Sequence, residues 1–375
     1  MKLLVGGDFV PVGRFEKCLY DNSFDYSHIK TLTKSVDYSL LNFEAPIVEE
    51  SIKGIKKNGP NLKVSKRGVL AVKQMGFNAV TLANNHFRDF GQTGVETTIA
   101  ELTRNEVEYV GGGANLVEAQ KILFKEFNDG KVAIVNICEN EFSIATETRG
   151  GSMPLSIPDN YQQIHEAKQK ADYVVLIVHG GHEGYQLPSP RMKKLYRLFV
   201  NFGADAIINH HQHCFSGYEI YKGKPIIYGL GNFIFDWSGK RKSIWNMGYL
   251  VSMCLDRSKI DFELIPYRQC DDKEGAFFLK NDERLAFEKD VVFLNSIIND
   301  DLKLKDAFDK FIKQKKGGVL STLSPFSNKY LMALVSHGLI PSFICKKKAA
   351  MLYNYINCEA HRDITLETLD SLIED

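Results

Sequence analysis

Short apolar runs alternate with amphipathic segments along most of the chain. The runs rich in Val, Ile, Leu and Tyr have the length and composition of buried strands. They cover residues 2–5, 36–42, 78–83, 107–110, 131–137, 173–178, 205–208 and 225–228. Between several of them, residues 64–75, 94–104, 161–171 and 190–202 repeat apolar positions at helical spacing. This alternation of strand and helix predicts a layered α/β fold.

The pattern changes after about residue 240. Apolar and polar positions alternate over residues 247–267 on either side of Asp256-Arg257-Ser258, which predicts two strands and a turn. Helical spacing follows over residues 277–300, 302–315, 329–338, 349–355 and 365–373, with breaks expected at Gly317-Gly318, Pro325 and Pro341. We therefore expect a first domain over residues 1–270 and an all-helical C-terminal extension over residues 271–375.

Composition and charge narrow the function classes. The 375 residues are 44% hydrophobic and 25% charged, as in ordinary globular proteins. The 47 Lys and Arg nearly balance the 46 Asp and Glu, so no general field attracts nucleic acid. The seven cysteines are scattered without a C-x-x-C pair, and no run reaches the roughly 18 apolar residues of a spanning helix. We expect a cytoplasmic protein with neither a membrane segment nor a nucleic-acid partner.

Residues of the types that commonly bind metals in proteins follow five of the predicted strands. The segments are Gly6-Gly7-Asp8, Asn42-Phe43-Glu44, Asn84-Asn85-His86 with Asp89, His179-Gly180-Gly181-His182-Glu183, and Asn209-His210-His211-Gln212-His213. The carboxyl ends of strands in an open α/β sheet face a common crevice. Carboxylates, imidazoles and an amide oxygen together suit divalent Zn, Mn or Fe. We expect one or two such ions, with a neighbouring His free to protonate a leaving group.

A longer series of motifs extends in order from about residue 2 to residue 237. It comprises Gly7-Asp8, Asn42-Phe43-Glu44-Ala45-Pro46, Leu82-Ala83-Asn84-Asn85-His86 with Asp89 and Gly91, Gly111-Gly112-Gly113 with Asn115, His179-Gly180-Gly181-His182-Glu183-Gly184-Tyr185, His210-His211-Gln212-His213, and Gly223-Lys224-Pro225-Ile226-Ile227-Tyr228 with Leu230-Gly231-Asn232-Phe233. As a set it resembles the bacterial capsule-synthesis, or poly-γ-glutamate capsule, family (CapA-like). That family is related to calcineurin-type metallophosphoesterases. The resemblance implies a four-layer α/β/β/α sandwich with a metal centre at the sheet edge.

The resemblance also implies roles for individual residues. The metal ligands would be Asp8, Glu44, Asn85, His179, His211 and His213, with Glu44 as the bridging carboxylate. His86 would donate a proton to the leaving group, and Asp89 would orient it. The residues Asn84, Glu183, Tyr185 and Asn232 would support the ligands or line the substrate pocket. The chain departs from the phosphoesterase pattern at Val10, which replaces a usual His ligand, and at Glu44, which replaces Asp.

Three functions fit this sequence. The leading one is a metal-dependent hydrolase that cleaves a phosphoester or amide bond in capsule, cell-surface polysaccharide or poly-γ-glutamate metabolism. Its substrate would be a polyanionic, sugar-phosphate or peptide polymer. The second is a non-catalytic assembly or polymer-handling component on the same fold, which Val10 favours. The third is a binding module with a sugar-stacking groove of Phe87, Tyr185, Phe235 and Trp237. The C-terminal helices could form an oligomer contact.

Overall fold

A computed structural model describes residues 1–49, 51–256 and 259–374. Arg257 and Ser258 of the expected turn lie outside the described residues. The strands are β1 (Lys2–Val10), β2 (Tyr38–Phe43), β3 (Ala79–Thr81), β4 (Glu108–Val110), β5 (Gly112–Gly113), β6 (Leu123–Phe127), β7 (Gly130–Cys138), β8 (Gly151–Ser152), β9 (Tyr173–His179), β10 (Ala206–His210), β11 (Tyr218–Tyr221), β12 (Lys224–Ile227), β13 (Asn232–Phe235), β14 (Met247–Leu255), β15 (Ile260–Gln269) and β16 (Ala276–Phe278). The helices are α1 (Arg14–Asp21), α2 (Ser27–Thr33), α3 (Arg67–Met75), α4 (Gly91–Arg104), α5 (Leu116–Ala119), α6 (Ile157–Lys170), α7 (Pro190–Phe202), α8 (Asn281–Ile298), α9 (Asp301–Thr322), α10 (Lys329–Ser336), α11 (Lys346–Asn357) and α12 (Glu359–Glu374).

Two mixed sheets lie at the centre of the fold. The larger has the order β16-β15-β14-β1-β2-β3-β4, and β13 also pairs with β1. The smaller has the order β11-β12-β10-β9-β7-β6. Helices α1 to α4 pack on the larger sheet, whereas α6 and α7 pack on the smaller one. The predicted α/β class and its four-layer α/β/β/α arrangement are confirmed.

The central parallel strands β2, β3, β9 and β10 are buried on both faces. In β9 all seven residues are buried, which accounts for the uninterrupted apolar run Tyr173 to Val178. Helix α7 packs on β10 and β12 of the same sheet and turns Tyr196, Phe199 and Val200 inward. Ser189 caps its start by accepting a hydrogen bond from the Met192 amide. The polar residues at the ends of the buried strands are therefore attached to well-packed elements of the core.

The described residues divide into two compact units. The first contains residues 1–55 and 59–301, and the second contains residues 56–58 and the chain from residue 302 onward. Strand β16 extends the larger sheet, and α8 packs its Phe287 ring 5.0 Å from that of Phe215. The first unit thus continues past residue 270, where the sequence pattern divides the chain.

From residue 302 onward the second unit consists of helices, whereas the all-helical extension expected over residues 271–375 also contains the strand β16. The expected break at Gly317-Gly318 is wrong, because α9 continues through both residues to Thr322. Gly317 has a packing role instead, since a Cβ there would lie 2.1 Å from the carbonyl oxygen of Ser336. Pro325 and Pro341 do separate helices. None of the described helices is long and apolar enough to cross a membrane.

Candidate metal centre

Asp8 lies within β1, and the expectation that it follows the strand is wrong. The pairing of β1 with β2 changes register between Gly6 and Asp8, which is the mark of a β-bulge. Gly7 leaves no room for a side chain, because a Cβ would lie 2.0 Å from the carbonyl oxygen of Gly231. The bulge places the fully buried Asp8 carboxylate among residues from both sheets.

A first set of possible ligands contains Asp8, Glu44 and His213. One ligand atom from each lies within 4.8 Å of the other two, and all three residues are buried. His213 Nδ1 lies 2.8 Å from Asn232 Oδ1, while Nε2 lies 3.7 Å from Glu44 Oε1. His213 has a φ of 53°, a left-handed conformation that is uncommon outside glycine and is often found at functional sites.

A second set contains Glu44, His179 and His211. Their ligand atoms also lie within 4.8 Å of one another. His179 Nε2 lies 3.4 Å from Glu44 Oε1 and 3.0 Å from His211 Nδ1. Asn85 brings its Oδ1 to 3.0 Å from the same His179 nitrogen. The two sets therefore adjoin each other and share Glu44.

Asn42 and His210 belong to the same buried network, although the sequence alone indicates no role for either. Asn42 Nδ2 donates to Asp8 Oδ1 at 2.8 Å and lies 3.2 Å from His179 Nδ1. His210 Nδ1 lies 3.1 Å from Asp8 Oδ1. Both residues occur in the quoted motifs, and the only further signal in the sequence is a polar residue at the end of an apolar strand.

Burial sets the electrostatics of these residues. It raises the pKa of Glu44 well above its ordinary value, and the charge of Asp8 adds to this rise. Burial would also raise the pKa of Asp8, but hydrogen bonds with His210 and His213 hold it well below the usual range. Burial lowers the pKa of His179, which the neighbouring His211 lowers further.

The pKa of His213 is shifted in the opposite direction to that of His179. Burial would lower the pKa of His213, but the adjacent Glu44 and Asp8 raise it to about 10. Both oxygens of Glu44 are buried, and neither accepts a hydrogen bond from the residues described. A buried carboxylate without donors is costly unless a cation balances it. The donor set around Glu44 therefore fits a divalent metal ion.

His86 is held by Asp89, in the contact that the resemblance implied. His86 Nδ1 lies 2.6 Å from Asp89 Oδ2, which also accepts a hydrogen bond from the Leu62 amide at 2.6 Å. The His86 amide donates to Asn84 Oδ1 at 3.1 Å. The Asp89 carboxylate therefore fixes the orientation of the His86 ring through Nδ1.

The remaining predicted residues occupy different surroundings. Asn84 is buried and donates to the Phe43 carbonyl at 3.0 Å, and Asn232 contacts His213 as described. Glu183 is exposed, whereas Tyr185 is partly buried.

Two of the four residues of the expected aromatic groove cannot line it, because Phe87 and Phe235 are buried in the apolar core. Trp237, with 37% of its surface exposed, is accessible. Val10 also belongs to that core and offers no ligand to the first set.

Comparisons with known proteins show what this chain is similar to. The family model for the bacterial capsule synthesis protein PGA_cap matches residues 2–237. The capsule biosynthesis protein CapA of Bacillus anthracis is 31% identical over 303 residues, which cover 72% of this chain and 72% of that protein. The PGA biosynthesis protein CapA of Bacillus subtilis (strain 168) is 31% identical over 245 residues, which cover 63% of this chain and 64% of that protein.

Among solved structures, a novel phosphatase from Mycoplasma pneumoniae is 18% identical with a TM-score of 0.47, and the match covers 72% of this chain and 95% of that one. The family model matches more than half of this chain, and the Bacillus anthracis relative matches more than two thirds. The ordered motifs that resemble the family all lie within residues 2–237, which the family model matches. The chain belongs to the bacterial capsule synthesis protein family PGA_cap.

Proposed function

We propose that this protein is a metal-dependent hydrolase that cleaves a phosphoester or amide bond in the metabolism of capsule polysaccharide or poly-γ-glutamate. The observation that carries the proposal is the pair of buried ligand sets that share Glu44. The names of the Bacillus relatives, which refer to capsule and PGA biosynthesis, support the polymer context. A polyanionic or sugar-phosphate polymer, or a peptide polymer, is the substrate class.

Two adjoining sets could hold two ions of Mn, Fe or Zn. Asp8, Glu44 and His213 would hold one, and Glu44, Asn85, His179 and His211 would hold the other. When bound, such an ion polarises a phosphoryl or carbonyl oxygen and lowers the pKa of water. The first set has one ligand fewer because Val10 packs in the core.

The chain's own residues supply the proton transfer and the orientation. Asp89 accepts the Nδ1 proton of His86 and so fixes the tautomer and the orientation of the ring. His86 Nε2, when protonated, donates its proton to the leaving oxygen or nitrogen. Asn84 holds the His86 backbone through its Oδ1, so the imidazole keeps its place beside Asn85.

The test is turnover of a generic aryl phosphodiester by Mn²⁺-loaded protein. His86→Ala is expected to retain its metal and to lower turnover by about 10²- to 10⁴-fold, the usual contribution of a general acid. His165→Ala, at an exposed position on α6, is the matched control and is expected to have wild-type turnover. Equal turnover in His86→Ala and His165→Ala would contradict the proposed role.

A non-catalytic polymer-handling role is the second candidate, and the apolar burial of Val10 favours it. It predicts a protein that binds metal and polymer but turns over neither phosphodiesters nor γ-glutamyl peptides. The cytoplasmic location and the oligomer contact through the C-terminal helices remain predictions. Sedimentation of the full chain and of a chain ending at residue 301 would test the oligomer contact.

A further inference from the structure

Glu141 reaches two residues of the second ligand set from outside it. It follows β7 by three positions, and its side chain is 42% exposed. Its Oε2 accepts a hydrogen bond from Asn85 Nδ2 at 3.4 Å. Its Oε1 lies 3.7 Å from His211 Nε2, within the range of an ion pair. No motif in the sequence marks this residue.

Both contacts are made to the atoms that face away from the ligand set. Asn85 directs its other amide atom, Oδ1, to within 3.0 Å of His179 Nε2. His211 directs its other ring nitrogen, Nδ1, to within 3.0 Å of the same atom. An imidazole that binds a metal commonly gives its second N–H to a carboxylate, which fixes the ring and increases its basicity. Glu141 is placed to do this for His211 while it also fixes the amide of Asn85.

The segment that carries Glu141 is anchored independently of that side chain. Ser143 Oγ donates to the Asn85 carbonyl at 2.7 Å and accepts from the Arg88 amide at 3.1 Å. Glu139 Oε2 accepts from the Gly181 amide at 2.9 Å. These bonds join the segment to the loops after β3 and β9, so replacement of the half-exposed Glu141 leaves the backbone held in place.

We propose that Glu141 is a positioning residue for the metal ion that Glu44, His179 and His211 would hold. This inference rests on the proposed function, because it requires that the ligand set bind a metal. The first set differs, since the Nδ1 of its His213 lies 2.8 Å from the neutral amide oxygen of Asn232 and 3.5 Å from Oδ2 of Asp8, which is itself a member of that set. The carboxylate of Glu141 contacts a ligand of the second set, whereas the amide of Asn232 contacts a ligand of the first. We therefore expect Glu141 to affect the affinity only for the ion that the second set would hold.

The experiment measures the dissociation constant for Mn²⁺ alone, by competition with a fluorescent chelator, on the full chain. Glu141→Ala is expected to raise one dissociation constant by about 10- to 100-fold, as is usual for residues behind metal ligands. Glu141→Gln keeps an oxygen for Asn85 but has no charge for His211, so its effect is intermediate. Glu147→Gln removes the same charge from an exposed position of the same loop and is the matched control.

The melting temperature of the metal-free protein separates positioning from folding. It is expected to be equal in wild type, Glu141→Ala and Glu147→Gln, although only Glu141→Ala binds Mn²⁺ weakly. An unchanged dissociation constant in Glu141→Ala, with normal binding by the wild type, would overturn this inference alone. Absence of Mn²⁺ binding by the wild type would contradict the proposed function as well.

Discussion

Asn42 connects the two ligand sets through a single buried side chain. Its Nδ2 donates to Asp8 Oδ1 at 2.8 Å and lies 3.2 Å from His179 Nδ1. Its Oδ1 accepts from Thr81 Oγ1 and from Asn84 Nδ2, both at 3.2 Å. Only 1% of the residue is exposed, so Asn42→Ala would leave these partners without a replacement from bulk water.

The magnitude follows from those contacts. A neutral hydrogen bond contributes about 1 kcal/mol and one to a charged group about 1.5–3 kcal/mol. With one bond to the charged Asp8 and two neutral bonds, with Thr81 and Asn84, the free energy of unfolding of the metal-free protein should fall by about 4 kcal/mol in Asn42→Ala. Loss of a group that orients metal ligands weakens metal binding by about 10- to 100-fold. At a fixed excess of metal, that change reduces the stabilisation by metal by about 1.4–2.8 kcal/mol.

The assay is urea unfolding with a chelator and with excess Mn²⁺, followed by tryptophan fluorescence. The two tryptophans, Trp237 and Trp245, both lie in the first unit, so the signal reports that unit alone. The Trp245 ring also lies 4.6 Å from that of His213 and is therefore sensitive to the site.

Asn160→Ala is the matched control for lost hydrogen bonds. Asn160 is a buried residue of α6 that donates to Pro154 and Gln163 and accepts from the Ser156 amide. Its replacement should lower the free energy of unfolding by about 2–3 kcal/mol and leave the stabilisation by Mn²⁺ unchanged. An equal stabilisation by Mn²⁺ in wild type, Asn42→Ala and Asn160→Ala would refute the reasoning.

The remaining predictions use the same unfolding assay. Gly7→Ala should lower the free energy of unfolding by about 1–3 kcal/mol and weaken Mn²⁺ binding, because its Cβ would lie 2.0 Å from a backbone carbonyl oxygen beside Asp8. Gly239→Ala, whose Cβ meets only one atom at 3.9 Å, should change neither. Lys193→Met should lower the free energy of unfolding by about 1.5–3 kcal/mol at pH 7, because the buried ammonium donates to a backbone carbonyl and, at 2.7 Å, to Asp301. The hydrogen bond from Lys193 lowers the pKa of Asp301, so that part of the stabilisation is present above about pH 4 and is lost as the pH falls through the folded-state pKa. The difference between wild type and Lys193→Met should therefore narrow at pH 3, and a constant difference would contradict this assignment.

Elements with strong local signals could be predicted from the sequence. The continuous apolar run of β9 and the helical stripe of α7, with Pro190 at its first turn, identify these elements without tertiary information. In contrast, α1 has eight residues and buries only Phe15 and Leu19, which is too few to form a recognisable stripe. The four-residue β13 likewise depends on its pairing with β1.

The sequence indicates the candidate ligands of the site, but it does not indicate their contacts with Asn42, His210 and Glu141. The neighbouring strands β9 and β10 of the smaller sheet bring His179 and His211 together, and Glu44, which follows β2 of the larger sheet, meets them there. The bulge at Asp8 requires the approach of Gly231, a contact between positions far apart in the chain. Glu141 has no motif of its own, because its place is set by the tertiary contacts of the loop after β7. Such long-range contacts leave no local pattern in the sequence.

The central claim is that the two buried sets sharing Glu44 bind metal. Elemental analysis of wild type and Asp8→Ala, both purified without a histidine tag or added metal, tests it most directly. We expect about two transition-metal ions per wild-type chain and fewer in Asp8→Ala, since Asp8 belongs to one set only. A wild-type protein that contains no metal, and that takes up none when Mn²⁺, Fe²⁺ or Zn²⁺ is supplied, would contradict the claim.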